Sequence, residues 1–331
     1  MILNWSKKNP YLSFVISARN DDYGGLFLHR IKLFFIVLLH HIKHFQLSCE
    51  IIVVEWNPPI DKPRLYQELE SILKTAPISI RFIEVPYKIH QQFSNASKMP
   101  IFEYIAKNVG VRRAKGKFIL VTNPDIIFSE ELIAYLSAEN LDPRLFYRVD
   151  RYDIKGLAPF KASIIEQMEY AKTHAFRLNA FGQTVLLLSW LPFFLRSRIG
   201  YLSANLMRLY RKKEKHIEDL LHVNAAGDFF LMDRKKWHLL QGYPELPTHY
   251  LIDGYLCCLA KSSGLAQKIL TLPLIIFHSE HNRPTSNRPK TLYADWRSNC
   301  QEMLTNKKPK IFNTNLWGLQ NSRLIEYTIN P

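Results

Sequence analysis

An α/β fold with a mainly parallel sheet flanked by helices is the architecture the sequence predicts. Two observations predict it. Short apolar runs alternate with helix-length amphipathic stretches through the first half of the chain. The runs are bounded by polar or proline-containing clusters. Alternation at this spacing is how crossover units of a helix-covered parallel sheet read.

Leu12 to Ser17 (LSFVIS) is the first predicted strand, closed by Ala18-Arg19-Asn20-Asp21-Asp22 and Gly24-Gly25. Leu26 to Phe45 carries a helical pattern, and Glu50 to Val54 (EIIVV) reads as a buried strand ended by Glu55-Trp56-Asn57-Pro58-Pro59. A helix over 65–74, a strand over 78–85 and a helix over 102–114 follow. Lys117 to Thr122 (KFILVT) is the fourth strand, stopping at Asn123-Pro124-Asp125. Residues 158–221 are predicted largely helical, with an apolar peak over 184–195 (TVLLLSWLPFFL) broken by Pro192. The last third returns to mixed structure: a strand over 227–232, a helical turn over 234–241 and a helix over 251–262. A final strand-like run over 269–277 ends at His278-Ser279-Glu280-His281, and the tail from Asn282 is basic and polar.

At 331 residues the chain has room for about two domains and a sizeable core. With 47% hydrophobic and 22% charged residues it is ordinary globular material, neither disordered nor collagen-like. Lys plus Arg is 44 against 29 for Asp plus Glu, a net charge of 44 − 29 = +15. That excess favours an anionic partner: a phosphate-bearing ligand, a nucleic acid or an acidic membrane face. Cys49, Cys257, Cys258 and Cys300 lack metal-ligand spacing and read as buried reduced thiols of a cytoplasmic protein. No stretch before Tyr11 has the apolar length of a signal peptide, and none is long enough for a confident transmembrane span.

Behind the apolar peak stand Arg196, Arg198, Arg208, Arg211, Lys212, Lys213 and Lys215, with Glu214 the single acid among them. Such a segment, 184–215, fits an interfacial helix on an anionic membrane surface. A buried helical hairpin with a solvated basic end fits it equally. Specific nucleic-acid binding is disfavoured, because the basic residues adjoin an apolar segment instead of interleaving with stacking aromatics.

In a parallel sheet, ligands bind outside the carboxyl ends of the strands, where Arg19-Asn20-Asp21, Glu55-Trp56-Asn57 and Asn123-Pro124-Asp125 all fall. Asn123 and Asp125, two apart in extended chain, share a side and could place oxygen on a divalent cation. They could equally form a turn that only ends the strand. His278 and His281 close the last apolar run; either an imidazole completes that metal site or the pair is structural. Asp228 and Asp253 lie in apolar contexts, as a general base would, or as a strand cap and a helix N-terminal acid would. The chain has no Gly-x-Gly-x-x-Gly, Walker-type loop, Gly-x-Ser-x-Gly or His-Glu-x-x-His.

Taken in order, SFVISARNDD (13–22), EIIVVEWN (50–57), IAKNVGVRRAKG (105–116) and KFILVTNPDI (117–126) resemble successive blocks of the family 2 glycosyltransferases of GT-A fold. AGDFFLMDRKKWHLLQGYPE (226–245) is similar to a block of related galactosyltransferase-like enzymes, and Ile252-Asp253 falls where the family carries a Glu-Asp catalytic pair. The resemblance covers about residues 11–150 and 222–283. It implies a GT-A domain whose nucleotide-sugar-binding half is 1–150 and whose acceptor and catalytic half is 222–283. Residues 151–221 would be a helical insertion and 284–331 a C-terminal tail.

By the same resemblance, Arg19 and Asn20 border the nucleotide pocket and Glu55 contacts the nucleobase. Lys107, Asn108 and Asn123 face the nucleotide sugar, Asp125 and His278 hold Mn²⁺ or Mg²⁺, and Asp253, with Asp228, serves catalysis. The activity implied is inverting transfer of a sugar from a nucleotide-sugar donor to a glycan or lipid-linked acceptor, in the cytoplasm or peripherally on the inner membrane face. Asn123, Glu55 and Ile252 depart from the family's residues at their positions, and Asn123 and Ile252 are the features expected of a degenerate, non-catalytic binder of the same fold.

Overall fold

The structure, a computed structural model, describes residues 9–211, 217, 221–248, 250–281 and 290–331. Its first half runs β1 (Leu12–Ala18), α1 (Phe27–Phe45), β2 (Cys49–Trp56), α2 (Leu65–Glu68), α3 (Glu70–Leu73), β3 (Ile80–Val85), α4 (Tyr87–His90), α5 (Glu103–Arg113) and β4 (Phe118–Thr122). Next come β5 (Ile126–Phe128), α6 (Glu130–Ser137), β6 (Leu145–Val149), β7 (Arg151–Ile154), α7 (Ile164–His174), β8 (Ala175–Ala180), β9 (Gln183–Leu186) and α8 (Phe193–Arg211). The last part holds β10 (Phe229–Asp233), α9 (Arg234–Leu239), α10 (Ile252–Ser262), β11 (Ala266–Leu270), β12 (Ile276–Ser279), α11 (Lys290–Asn306) and β13 (Ile325–Ile329).

The predicted alternation is present as the parallel block β4-β1-β2-β3. The complete sheet is mixed, in the order β11-β6-β10-β4-β1-β2-β3-β13, with six of its eight strands running in one direction. Strand β10 runs antiparallel between β4 and β6, and β13 closes the far edge antiparallel to β3. An apolar run specifies burial but not direction, so the sequence pattern could not distinguish β10 from a parallel strand.

Alternate residues of each parallel strand feed two cores. Phe14, Ile16, Ile51, Val53 and Leu120 pack with Phe34, Phe35 and Leu38 of α1. Val15, Ile52, Val54 and Val121 pack on the other face with Val109 of α5 and Leu256 of α10. Two glycines permit the close approach. A Cβ at Gly110 would overlap Val15, and one at Gly116 would come within 2.5 Å of the Ser13 amide nitrogen. Cys49, Cys257, Cys258 and Cys300 are buried thiols, as expected.

A second sheet, ordered β5-β12-β7-β8-β9, stands beside the first. Two of the connections between the sheets are short. Strands β6 and β7 are separated only by Asp150, and the predicted single run over 269–277 divides into β11 in one sheet and β12 in the other.

Residues 158–221 are helical over α7 and α8 but not throughout. They contain the hairpin β8–β9, joined by Phe181-Gly182 with φ of 53° and 72°, the type I′ geometry that matches strand twist. The apolar stretch 184–195 is shared among β9, a turn and the first residues of α8, and the outer face of α8 is exposed, so it is not a buried hairpin. Of the basic cluster that follows, Lys212, Lys213 and Lys215 lie outside the described residues. Among the described residues no helix is long and apolar enough to cross a membrane. The predicted polar tail folds onto the domain: Trp296, Cys300, Met303 and Trp317 are buried in the core beside α5 and α10, and Trp296 packs against Gly254.

Candidate functional site

Parallel register brings the predicted polar clusters to one edge. Ala18 lies opposite Glu55 and Ile16 opposite Thr122, so the chain leaves β1, β2 and β4 on the same side. Because β10 is antiparallel, its amino end lies on that edge too: Phe229 faces Thr122, and the Asn123 amide donates to Asp228 Oδ1 at 2.7 Å. Strand β12 pairs His278 with Ile126 of β5, which sets His278 beside Asp125.

At this junction His278 Nε2 lies 3.5 Å, and His281 Nε2 3.2 Å, from Asp125 Oδ2. The three ligand atoms lie within 4.8 Å of one another. Asp125 Oδ1 is buried without a hydrogen-bond partner. The other face of the His278 ring is fixed, with Nδ1 2.9 Å from Asp153 Oδ1. Burial opposes the charge on Asp125, but the two imidazoles outweigh it and hold the carboxyl well below the usual range. Burial likewise opposes protonation of His278, yet Asp125 and Asp153 raise its pKa to about 9. A carboxylate oxygen and two imidazole nitrogens, one of them oriented by a second carboxylate, form a donor set that could hold a divalent cation.

A buried ionic chain continues from this cluster. Asp153 also meets Arg151 Nε at 3.0 Å, Arg177 Nε at 2.5 Å and Asn179 Nδ2 at 2.8 Å. Arg151 in turn pairs with Asp228 Oδ2. Asp228 is thus held between Asn123 and Arg151, and the guanidinium overcomes burial to keep its pKa low.

Asp253, at the start of α10, accepts from the Gly227 N–H through Oδ2 and from the Gly254 N–H through Oδ1, each at 2.9 Å. Burial raises its pKa above the ordinary carboxylate value. Lys107 joins the same corner: its Nζ donates to the Gly227 carbonyl at 3.0 Å and pairs with Glu103.

The residues expected to meet a nucleotide divide into two groups. Arg19 stays at the edge, where Nε donates to the Asn57 carbonyl at 2.7 Å and Nη1 pairs with Asp21 at 2.5 Å. Asn20, Glu55 and Asn108 are anchored elsewhere. Asn20 donates to the Pro63 carbonyl, and both Glu55 oxygens face the Leu65 N–H at 3.0–3.2 Å. Together they tie down the connection from β2 to α2. Burial pushes the Glu55 pKa up to about 7. Asn108 is wholly buried; it spans the backbone N–H and carbonyl of Tyr243 and donates to Glu245 Oε1 at 3.0 Å.

Sequence reasoning missed Arg151, Asp153, Arg177 and Arg30. The first two alternate with the apolar Tyr152 and Ile154, a period-two pattern that could have disclosed β7. Arg30 reaches from α1 to the Tyr23 and Gly25 carbonyls, and the Tyr23 ring stands 5.3 Å from that of His281. It thereby shapes the loop after β1 against the metal-ligand cluster. No protein-family model matches the chain, and no curated protein matches it.

Proposed function

We propose that this protein is a glycosyltransferase of GT-A fold that moves a sugar from a nucleotide-sugar donor to an acceptor hydroxyl with inversion. The observation that carries the reading is the convergence of Asp125, His278 and His281 at the carboxyl end of β4, where a nucleotide-binding α/β sheet receives its ligand. The α/β architecture, with an acid-bearing loop and the start of α10 on the same edge, supports it.

Asp125, His278 and His281 would hold the cation, and their mixed oxygen and nitrogen donors suit Mn²⁺ better than Mg²⁺. When bound, the cation supplies charge neutralisation for the departing diphosphate. Asp153 keeps His278 turned toward it. Asp253, with its raised pKa, takes the proton of the acceptor hydroxyl as that oxygen bonds to the anomeric carbon and the bond from that carbon to the diphosphate breaks. Asp228, ion-paired with Arg151, supports the edge electrostatically and is a weaker base.

A second reading, a degenerate donor-binding protein, is favoured by the two backbone N–H groups that already occupy Asp253. Donor binding and slow donor hydrolysis across a panel of nucleotide sugars, with and without Mn²⁺ or Mg²⁺, separate the two. One donor bound and hydrolysed in a metal-dependent way, with the dependence lost in Asp125→Ala, is the expected result. Binding without hydrolysis selects the degenerate form, and silence across the panel from folded protein rejects both.

A further inference from the structure

We infer that the outward face of α8, with the β9–α8 loop that leads into it, is a docking surface for an anionic phospholipid bilayer. The helix packs inward mainly on small residues and leaves its main apolar stripe uncovered. Its small residues Ser197, Gly200 and Ala204 are buried, and a Cβ added at Gly200 would meet Leu187 at 2.7 Å and Leu178 at 3.1 Å. Phe193 and Tyr201 also pack inward, but most of its large apolar residues point the other way. Leu195, Ile199, Leu202, Leu206 and Leu209 recur at intervals of four and three, which places them in one stripe, and each is between 42% and 61% exposed. A soluble helix buries its apolar residues against the core; this helix leaves a long apolar stripe uncovered as well.

Three further features identify the occupant as lipid. Trp190, 76% exposed, precedes the helix, and Tyr210, 84% exposed, stands near its end. Both are residue types that concentrate at the headgroup level of membranes. Between Glu169 and Glu214 the chain has no acidic residue, while Arg198 and Arg208 flank the stripe over the Phe194 and Phe181 rings. A second copy of this face would bring like charges together, whereas anionic headgroups complement them. The helix has 19 residues, so it is about 28 Å long. It is not apolar enough to cross a bilayer, which leaves it lying in the interfacial plane.

The hairpin beneath α8 leads directly to the candidate site: Arg177 of β8 pairs with Asp153 and with Glu280. A bilayer on this face would therefore lie one hairpin away from the cluster at Asp125. The lipid contact itself does not depend on the proposed transfer chemistry.

The test is density-gradient flotation of the whole chain with vesicles of phosphatidylcholine, alone or mixed with phosphatidylglycerol. Tryptophan quenching by brominated lipid is read in parallel. Trp56, Trp237, Trp296 and Trp317 are buried, which makes Trp190 the reporter among the described residues. We expect flotation with the anionic vesicles and quenching that Trp190→Phe removes. We also expect at least about a tenfold fall in partitioning for the Leu202→Glu/Leu206→Glu double variant, checked for unchanged circular dichroism. Failure to float with anionic vesicles overturns the inference. So does binding that high salt abolishes but the double variant does not, since that is charge alone. Concentration-dependent dimers dispersed by the double variant, without flotation, would assign the face to a second copy instead.

Discussion

Asp153 decides which nitrogen of His278 points at Asp125. With Nδ1 held 2.9 Å from Asp153 Oδ1, the ring presents Nε2 to the Asp125 side, the orientation a metal-ligating imidazole needs. Asp153→Asn keeps the shape but removes the charge, so Mn²⁺ affinity is expected to fall roughly 10- to 100-fold. Mn²⁺ titration followed by electron paramagnetic resonance, on protein whose fold is checked by circular dichroism, reads this directly. Unchanged affinity would mean that Asp153 serves only Arg151 and Arg177. Asp125 and His278 were legible in the sequence because each ends an apolar run, where the chain must leave the sheet. Asp153 was not, because its role comes from neighbours on β8 and β12, 24 and 125 positions away in the chain. Asn108 shows the opposite failure. The family resemblance implied a ligand contact, yet its amide reaches 135 positions along the chain to fix the backbone at Tyr243.

At the scale of elements, local pattern sufficed wherever a strand and the helix after it follow one another, as in β1–α1, and failed where pairing is distant. Strand β13 is the clearest case. Its residues are mostly exposed, so no apolar run marks it, yet it covers the β3 edge. Glu326 grips Arg81 at 2.6 Å, and Tyr327 stacks on Tyr66 with 4.3 Å between ring centroids. Truncation after Ser322 would leave β3 as an open edge and remove one of the two carboxylates that hold the buried Arg81, the other being Glu50. Stability is expected to fall by roughly 2 kcal/mol, allowing for the part-exposed Glu326. Aggregation should rise, because an uncovered apolar edge pairs with other chains. Urea unfolding and light scattering measure the two effects, and a truncated chain equal to the full one in both would show that β3 needs no cover.

For the whole molecule, the charge balance is shaped by acids that burial keeps uncharged. Glu55, near Arg64 and Glu84, and Asp150, which accepts from Tyr201 Oη at 2.8 Å beside Arg148 and His222, both have pKa values raised by burial to about 7. Their unfolded values lie near 4, so between there and pH 7 the native state binds more protons than the unfolded chain. Their contribution to stability is therefore complete in acid and is lost as pH rises through about 7. Self-repulsion of a +15 chain has the opposite trend, since acid adds positive charge. The wild-type profile mixes the two effects, and comparison with neutral isosteres separates them. Glu55→Gln and Asp150→Asn each retain a carbonyl acceptor but carry no charge at any pH. Each should gain stability relative to wild type between pH 5 and pH 8, by on the order of 1–3 kcal/mol. Urea unfolding at the two pH values gives that double difference, from which charge elsewhere on the molecule cancels. A difference that stays flat would mean that both acids ionise in their ordinary range, with the surrounding loops open to water.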